Sequence, residues 1–211
     1  FLETGNYQQA LSHMARVIEL GGEIDFSALA ARTGQLDPRT RAVLIDNLRQ
    51  LTREFSDQQS IRLTLVQLLA QNGEYQEALL EFQLLIQLVN LSPRLVMLKA
   101  QILQSAGDAD QAIRVMRSGV REFEDDKNLR LGYSQLLIQN EQYEAAQAQF
   151  AALMELDPQD WETLFSMALL DMELENYDRA IERFTQLARI DQRADEARYY
   201  LGYIHEQREE F

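Results

Sequence analysis

From Ser60 onward the apolar positions fall into short amphipathic runs, and the same run keeps returning. In SIRLTLVQLLAQN (60–72), Ile61, Leu65, Leu68 and Leu69 follow the i, i+4, i+7, i+8 spacing of one buried helical face. Gly73 then offers a residue that takes the left-handed backbone ending a helix. In the next run, Glu74 to Val89, a second inner face carries Tyr75, Ala78, Leu79, Phe82, Leu85 and Ile86. A small Ala there lets two helix axes approach closely, and the aromatic fills the adjoining gap. The pattern predicts an antiparallel helix pair closed by a tight turn.

The pair repeats with a period of 34 residues. GEYQEALLEF (73–82), NEQYEAAQAQF (140–150) and ENYDRAIERF (175–184) place Tyr, Ala and Phe at the same offsets, and AGDADQAIRVM (106–116) falls between the first two. Ala78, Ala112, Ala146 and Ala180 are successive members of one series, and Ala10 lies two periods before Ala78. Gly107, Glu141 and Glu175 occupy the turns, and Pro158 follows a helix end, where its fixed φ and missing N–H stop continuation.

Repeats are therefore expected at 58–92, 93–126, 127–160 and 161–194, with a partial repeat at 1–20 and the first helix of a further one at 195–211. Both ends of the chain are expected to lie inside a longer array, because neither supplies a polar cap. Residues 21–57 form an irregular repeat kept in phase: Leu44 falls where Ala is due, the first helix shrinks to FSALAART (26–33), and GQLDPR makes a longer connection in which Asp37 caps and Pro38 opens the next helix. Gly21, Gly22 and Gly34 permit a change of direction, so the sequence leaves open whether this unit bends the array. One hairpin cannot cover its own apolar faces, so neighbours must stack. The expected fold is all-α, a right-handed α-solenoid (superhelix) of stacked antiparallel helix pairs, forming a single array over 1–211.

Composition narrows the function. With 46% hydrophobic and 26% charged residues, nine Gly and three Pro, the chain can bury a continuous core. The absence of Cys excludes disulfides, thiolate metal sites and cysteine nucleophiles, and leaves the compartment open. No apolar run approaches the roughly 20 residues needed to span a bilayer. The net charge of -14 is uneven: residues 1–100 hold 9 Lys and Arg against 11 Asp and Glu, a net of -2, while residues 101–211 hold 11 against 23, a net of -12. That field repels phosphate backbones and anionic lipid, which argues against nucleic acid and membrane contact and favours partners with basic groups.

Candidate chemistry is sparse. His13 and His205 stand almost a chain length apart and belong to no HExxH or Ser-His-Asp pattern, so no catalytic residue is assigned. His205 beside Tyr203 is read either as a packing or solvated side chain or as a pH-responsive one. The acidic stretches EFEDDK (122–127) and DMELENYD (171–178) are read as solvated turns and caps; a calcium loop begun at Asp126 fails, because Arg130 and Leu131 occupy places that need an oxygen ligand and a Gly. Asp108, Asp160 and Asp178 precede helices, where carboxylates serve free N–H groups. No metal, cofactor or phosphate loop is expected. Trp161, at a first-helix start, is read as an inter-repeat packing residue or a contact residue.

A 34-residue helix-turn-helix unit with Leu201-Gly202 in a first helix, Gly-x-Tyr in the turn (Gly5 and Tyr7, Gly73 and Tyr75), Ala in the second helix with an aromatic four residues on, and Pro158 at a repeat end resembles the tetratricopeptide repeat family. Pentatricopeptide arrays, with a 35-residue period and a basic base-reading face, fit less well. The resemblance implies a non-enzymatic protein-interaction scaffold whose first helices line a concave groove. Projected onto this sequence, the groove holds Leu63, Met97, Leu131, Phe165 and Tyr199 as one apolar row, with Gln67, Gln101, Gln135, Leu169 and Tyr203 as the next. Two readings of the apolar row stay open: pockets for an extended peptide whose backbone the amides bond, or packing between neighbouring first helices.

Chaperone-binding members of the family hold a terminal carboxylate with Lys, Asn and Arg in this groove. Here Leu63 and Gln67, Met97 and Gln101, Leu131 and Gln135 stand in those places, with Arg94 the main nearby cation, so that clamp is missing. A partner with apolar and basic groups is expected instead, toward Glu162, Glu173, Glu196 and Glu206. The Arg- and Gln-rich, cysteine-free array with its irregular second unit is also similar to bacterial outer-membrane tetratricopeptide lipoproteins that act as adaptors for a periplasmic carboxyl-terminal processing protease. That resemblance implies a periplasmic location, a lipid anchor preceding Phe1, and a protease and its substrates as partners. The rival expectation is a structural assembly module that self-associates or docks through helix edges with the groove unused.

Overall fold

The computed structural model describes residues 13, 15–17, 20, 37–189 and 194–208. Ala10, the FSALAART segment, Gly21, Gly22, Gly34, and the matches at Phe1, Gly5, Tyr7 and Phe211 lie outside them. Among the described residues the regular structure is helical throughout: α1 (Pro38–Glu54), α2 (Gln59–Gln71), α3 (Tyr75–Leu85), α4 (Pro93–Ser105), α5 (Ala109–Glu122), α6 (Lys127–Gln139), α7 (Tyr143–Leu156), α8 (Trp161–Glu173), α9 (Tyr177–Leu187) and α10 (Ala194–Gln207). The chain divides into two compact units, residues 1–115 and 116–211. In the first, α1 packs on α2, α2 on α3 and α3 on α4; in the second, the order α6, α7, α8, α9, α10 is also an order of packed neighbours. Each unit is a stack of helix pairs.

Among the described residues four helix-to-helix turns have the same form. Gly73 and Gly107 adopt φ of 82° and 84°, and Glu141 and Glu175, at the next two steps of 34, adopt 58° and 56°. In each case the following amide reaches back five residues: Glu74 N to Leu69 O at 2.9 Å, Asp108 N to Leu103 O at 2.9 Å, Gln142 N to Leu137 O at 2.9 Å, Asn176 N to Asp171 O at 2.7 Å. The left-handed residue itself bonds three back, as in Gly73 N to Ala70 O at 3.2 Å and Glu175 N to Met172 O at 2.9 Å. This is a Schellman turn, which satisfies the last carbonyls of the first helix and reverses the chain.

The inner face of each second helix is what the period specifies. Ala78, Ala112, Ala146 and Ala180 are all fully buried, and four residues on so are Phe82, Met116, Phe150 and Phe184. Leu85, Leu153 and Leu187 complete the series. In the first unit, Ala78, Phe82 and Leu85 pack among Ile61, Leu65, Leu68 and Leu69 of α2 and Leu44, Leu48 and Leu51 of α1. Leu44, Leu48 and Leu51 sit one period before Ala78, Phe82 and Leu85, so α1 is the second helix of the irregular unit and stays in phase. In the second unit Ala180, Phe184 and Leu187 pack with Ala168 of α8 and with Ala197 and Ile204 of α10. Burying one such phenylalanine is worth about 2–3 kcal/mol.

Helix starts follow local chemistry. The Asp37 carboxylate accepts from Arg39 N at 3.0 Å and Thr40 N at 3.1 Å, with Pro38 at the first helical position. Ser92 caps α4 before Pro93, Asp126 caps α6, and the Asp108 carboxylate accepts from Gln111 N at 3.1 Å. Two expectations are corrected. The helix expected over 74–89 ends at Leu85: Gln87 N and Leu88 N bond three residues back, tightening the chain ahead of the Ser92-Pro93 start and leaving Ile86 exposed rather than on the inner face. Asp178 is not a cap; it lies in the first turn of α9, whose N-cap Asn176 makes no side-chain capping bond, and it pairs with Arg208 at 2.8 Å.

The turns give a signed prediction. A Cβ at Gly73 or Gly107 meets nothing within 4 Å, so Ala there suffers only from its backbone conformation. Gly73→Ala or Gly107→Ala should cost about 1 kcal/mol, and Glu141→Gly or Glu175→Gly should gain a few tenths to about 1 kcal/mol, read as shifts of the urea midpoint at unchanged slope.

Candidate partner-binding face on the first helices

At 100° per residue, positions i, i+3, i+7 and i+11 share one side of a helix. On α2 this side carries Ser60, Leu63, Gln67 and Gln71, and on α4 it carries Arg94, Met97, Gln101 and Ser105. In the second unit it carries Asn128, Leu131, Gln135 and Gln139 on α6, Glu162, Phe165, Leu169 and Glu173 on α8, and Glu196, Tyr199, Tyr203 and Gln207 on α10. All ten expected site residues thus fall at equivalent positions of five first helices, four in one unit and six in the other.

Their exposure differs. Met97, Gln101, Gln135, Tyr199 and Tyr203 are exposed, with Tyr199 at 69%. Leu63, Gln67, Leu131, Phe165 and Leu169 are half-buried. Leu63 leans on the core of the first unit, and Phe165 and Leu169 on that of the second. The Phe165 ring meets Phe184 edge-on at 5.9 Å and Tyr200 at 5.7 Å, and Tyr200 in turn meets Tyr199 at 5.4 Å. Offset and edge-to-face pairs of this kind fix ring orientation. Phe165 therefore serves packing with one edge, while Tyr199 and Tyr203 carry aromatic surface to solvent. Glu162, Glu173, Glu196 and Glu206 are all exposed on the same two helices, α8 and α10.

Polar ties join the helices within each unit. In the first unit Arg49 of α1 donates to Glu77 at 2.8 and 2.6 Å and to Glu74 at 2.5 Å, both carboxylates standing at the start of α3. Those bonds draw the Glu77 carboxyl below its usual range. Buried Arg62 of α2 pairs with Glu81 of α3. In the second unit, Lys127 at the start of α6 donates to Asp160 Oδ1 at 2.5 Å, and the other Asp160 oxygen accepts from Thr163 N at 3.0 Å and from the Thr163 hydroxyl. Burial pushes the Asp160 carboxyl up, but Lys127 and Thr163 outweigh it and hold the group below the ordinary carboxylate range. Asp171 of α8, almost fully buried, meets Arg183 of α9.

Asp126 caps, Asp171 and Asp178 are ion-paired, and among the described residues no three His or acidic side chains converge as a metal site would require. His13 and His205 are exposed, one in each unit. Trp161 is half-buried and packs on the core of the second unit. The ion pairs escaped the sequence reading, although a signal exists: Arg62 recurs as Arg130 and Glu81 as Gln149, each 68 residues on, two full periods.

Helix pairs that recur every 34 residues, each with a buried Ala at its crossing and a Schellman turn at its tip, define a helical-repeat protein. Two tetratricopeptide repeat family models match residues 103–168 and 165–211, together just over half of the chain, and the chain belongs to the tetratricopeptide repeat family. It is 30% identical over 133 residues to the TPR repeat-containing protein PA4667 of Pseudomonas aeruginosa; the match takes in 62% of this chain and 22% of that protein, so the chain spans about a fifth of that relative. Among solved structures, a tetratricopeptide repeat protein from Parabacteroides merdae matches 97% of this chain and 74% of its own at a TM-score of 0.65 and 14% identity. MamA from Desulfovibrio magneticus RS-1 matches 89% and 96% at 0.58 and 15% identity. YrrB, described as a TPR protein with an unusual peptide-binding site, matches 77% and 84% at 0.56 and 17% identity. At these identities the structures share the fold.

Asp160 supplies a test of the ties. Asp160→Ala removes a cap and a half-buried ion pair and should cost about 1–2 kcal/mol at neutral pH. Because the folded carboxyl titrates below its unfolded value, its contribution is fully present above about pH 4 and is lost as pH falls through the depressed value. The stability gap between variant and parent should therefore narrow below pH 4 in urea unfolding.

Proposed function

We propose that the chain is a non-enzymatic interaction module whose first-helix faces receive an extended segment of a partner protein. The observation that supports this best is the recurrence, in register, of solvent-exposed side chains the core does not consume: Met97 and Gln101 in the first unit, Gln135, Tyr199 and Tyr203 in the second. Exposed amides bond a peptide backbone whatever its sequence, and Met and Tyr supply adaptable apolar surface that selects its side chains. Glu162 and Glu196 at equivalent positions of α8 and α10 bias the choice toward segments carrying Lys or Arg and speed their association. YrrB, similar in fold, is a protein described by a peptide-binding site.

The narrower reading is an adaptor that brings a periplasmic processing protease together with its substrates at the outer membrane. It rests on the resemblance in composition and in the irregular second unit. Among the described residues no helix is long and apolar enough to cross a membrane, so in this reading attachment comes from a lipid anchor elsewhere in the protein. The self-associating module remains the rival, favoured by exposed Leu80 and Leu84 on the outer side of α3; light scattering in dilute solution separates the two, a monomer counting against it.

The direct test is affinity capture on the immobilised chain with partners identified by mass spectrometry, repeated with Gln101→Ala, Gln135→Ala and Leu131→Glu combined. Retention of the captured partner should fall about tenfold at unchanged helical circular dichroism, as for the loss of several central contacts. Unchanged retention would exclude the first-helix faces as the binding surface.

A further inference from the structure

Arg130 on α6 is the two-period equivalent of Arg62 on α2, and the two side chains are anchored alike: Arg62 Nη2 donates to Ser56 O at 3.2 Å and Arg130 Nη2 to Glu124 O at 3.0 Å, acceptors that are themselves 68 residues apart. Their other arms differ. Arg62 Nη1 meets the Glu81 carboxylate, whereas Arg130 Nη1 donates to the neutral amide of Gln149 at 3.1 Å. The second unit thus keeps the guanidinium and its backbone anchor but lacks the counter-charge, and a half-buried cation without one is left under-compensated.

Arg130 does not stand alone. It lines a cleft of about 660 Å³ together with Arg117 and Arg121 from the last turns of α5. Arg117 Nε donates to the buried Tyr133 hydroxyl at 3.3 Å, and among the described residues none of the three arginines forms an ion pair. This happens in a unit where residues 116–211 hold 10 Lys and Arg against 21 Asp and Glu. Ala148 and Ala152 of α7 keep the floor shallow and apolar, and exposed Leu156 extends it. Arg130 and Tyr133 leave α6 on roughly the opposite side from Leu131 and Gln135, so the cleft is separate from the first-helix face.

We propose that this cleft is a second binding site, in which Arg117, Arg121 and Arg130 take the side-chain carboxylate of an acidic peptide segment, which supplies the counter-charge that Glu81 gives Arg62 and that Gln149 does not give Arg130. Two features select a peptide carboxylate over a more highly charged anion. Glu124, Asp125 and Glu155 also line the cleft and repel polyanions, and the alanine floor with Leu156 receives the apolar neighbours of the acidic residue. The family's groove plays no part, so the site stands or falls independently of the first-helix reading.

The test follows arginine Nε–H resonances of the full ¹⁵N-labelled chain during titration with N-acetyl-Leu-Glu-Leu-amide, with N-acetyl-Leu-Gln-Leu-amide, and with inorganic phosphate. The glutamate peptide should give saturable shifts confined to Arg117, Arg121 and Arg130, at least about fivefold tighter than the glutamine peptide. Arg121→Gln, at an exposed position, should weaken binding by a similar factor with an unchanged melting curve. Gln149→Glu, which restores the internal pair of the first unit, should abolish binding without lowering the melting temperature. Equal binding of the two peptides, no saturable shift at millimolar peptide, or undiminished binding by Gln149→Glu would overturn the site; phosphate binding as tight as the peptide would reassign it to an inorganic anion and overturn the peptide reading.

Discussion

One buried alanine per helix pair is the constraint on which the rest depends. At Ala78, Ala112, Ala146 and Ala180 the second helix carries nothing beyond Cβ and is fully buried; Ala78 sits among the leucines of α1 and α2, and Ala180 beside Ala168 of α8 and Ala197 and Ile204 of α10. Interiors pack at crystal-like density, so the space a larger residue would need at Ala78 or Ala180 is already filled, by the phenylalanine one turn on and by the side chains of the helices packed around it. The exception is Leu44, which shows that the first unit accommodates a branched side chain at this place in its irregular pair. Because each pair exposes one apolar flank that only the next can cover, the alanines set the geometry within a pair and the flanking leucines the order of stacking.

Charge is placed with the same periodicity but to a different end. The buried pairs Arg62 with Glu81 and Asp171 with Arg183 tie first helix to second within a hairpin, while Arg49 with Glu77 and Lys127 with Asp160 join one hairpin to the next. Ion pairs removed from water add little net stability, since desolvation offsets most of the attraction, but breaking one partner is costly. Such ties fit a role in specifying which helix faces which. They leave the surplus acid of the second half on exposed surface, including that of α8 and α10.

The fold was largely legible because its signal is repeated. The 34-residue alanine series, the aromatic four residues on and the turn residues at 73, 107, 141 and 175 each appear several times, so an imperfect copy is read by its phase. Glu141 and Glu175 take a left-handed backbone that neither residue prefers, and only their register with Gly73 and Gly107 identifies them. Single-copy features were harder. The early end of α3 depends on three-residue-back bonds ahead of Pro93, and Asp178 forsakes capping for Arg208, a partner 30 residues away. Periodicity places the ten candidate residues on first helices, where the structure has them. The packing of Phe165 against the rings of Phe184 and Tyr200 is a contact between helices that no local pattern reveals.

A scaffold of this kind separates what holds it together from what it offers. The second helices spend their alanine and phenylalanine on the core; the first helices contribute one side to that core and keep another for amides, tyrosines and carboxylates. The most direct test of the central claim compares Ala146→Leu with Ala148→Leu, two residues apart on α7, one fully buried and the other exposed, by urea unfolding of the whole chain. The account predicts that leucine at 146 costs about 1–3 kcal/mol through overpacking and at 148 changes stability by less than about 0.5 kcal/mol. Equal, small effects at both positions would contradict it.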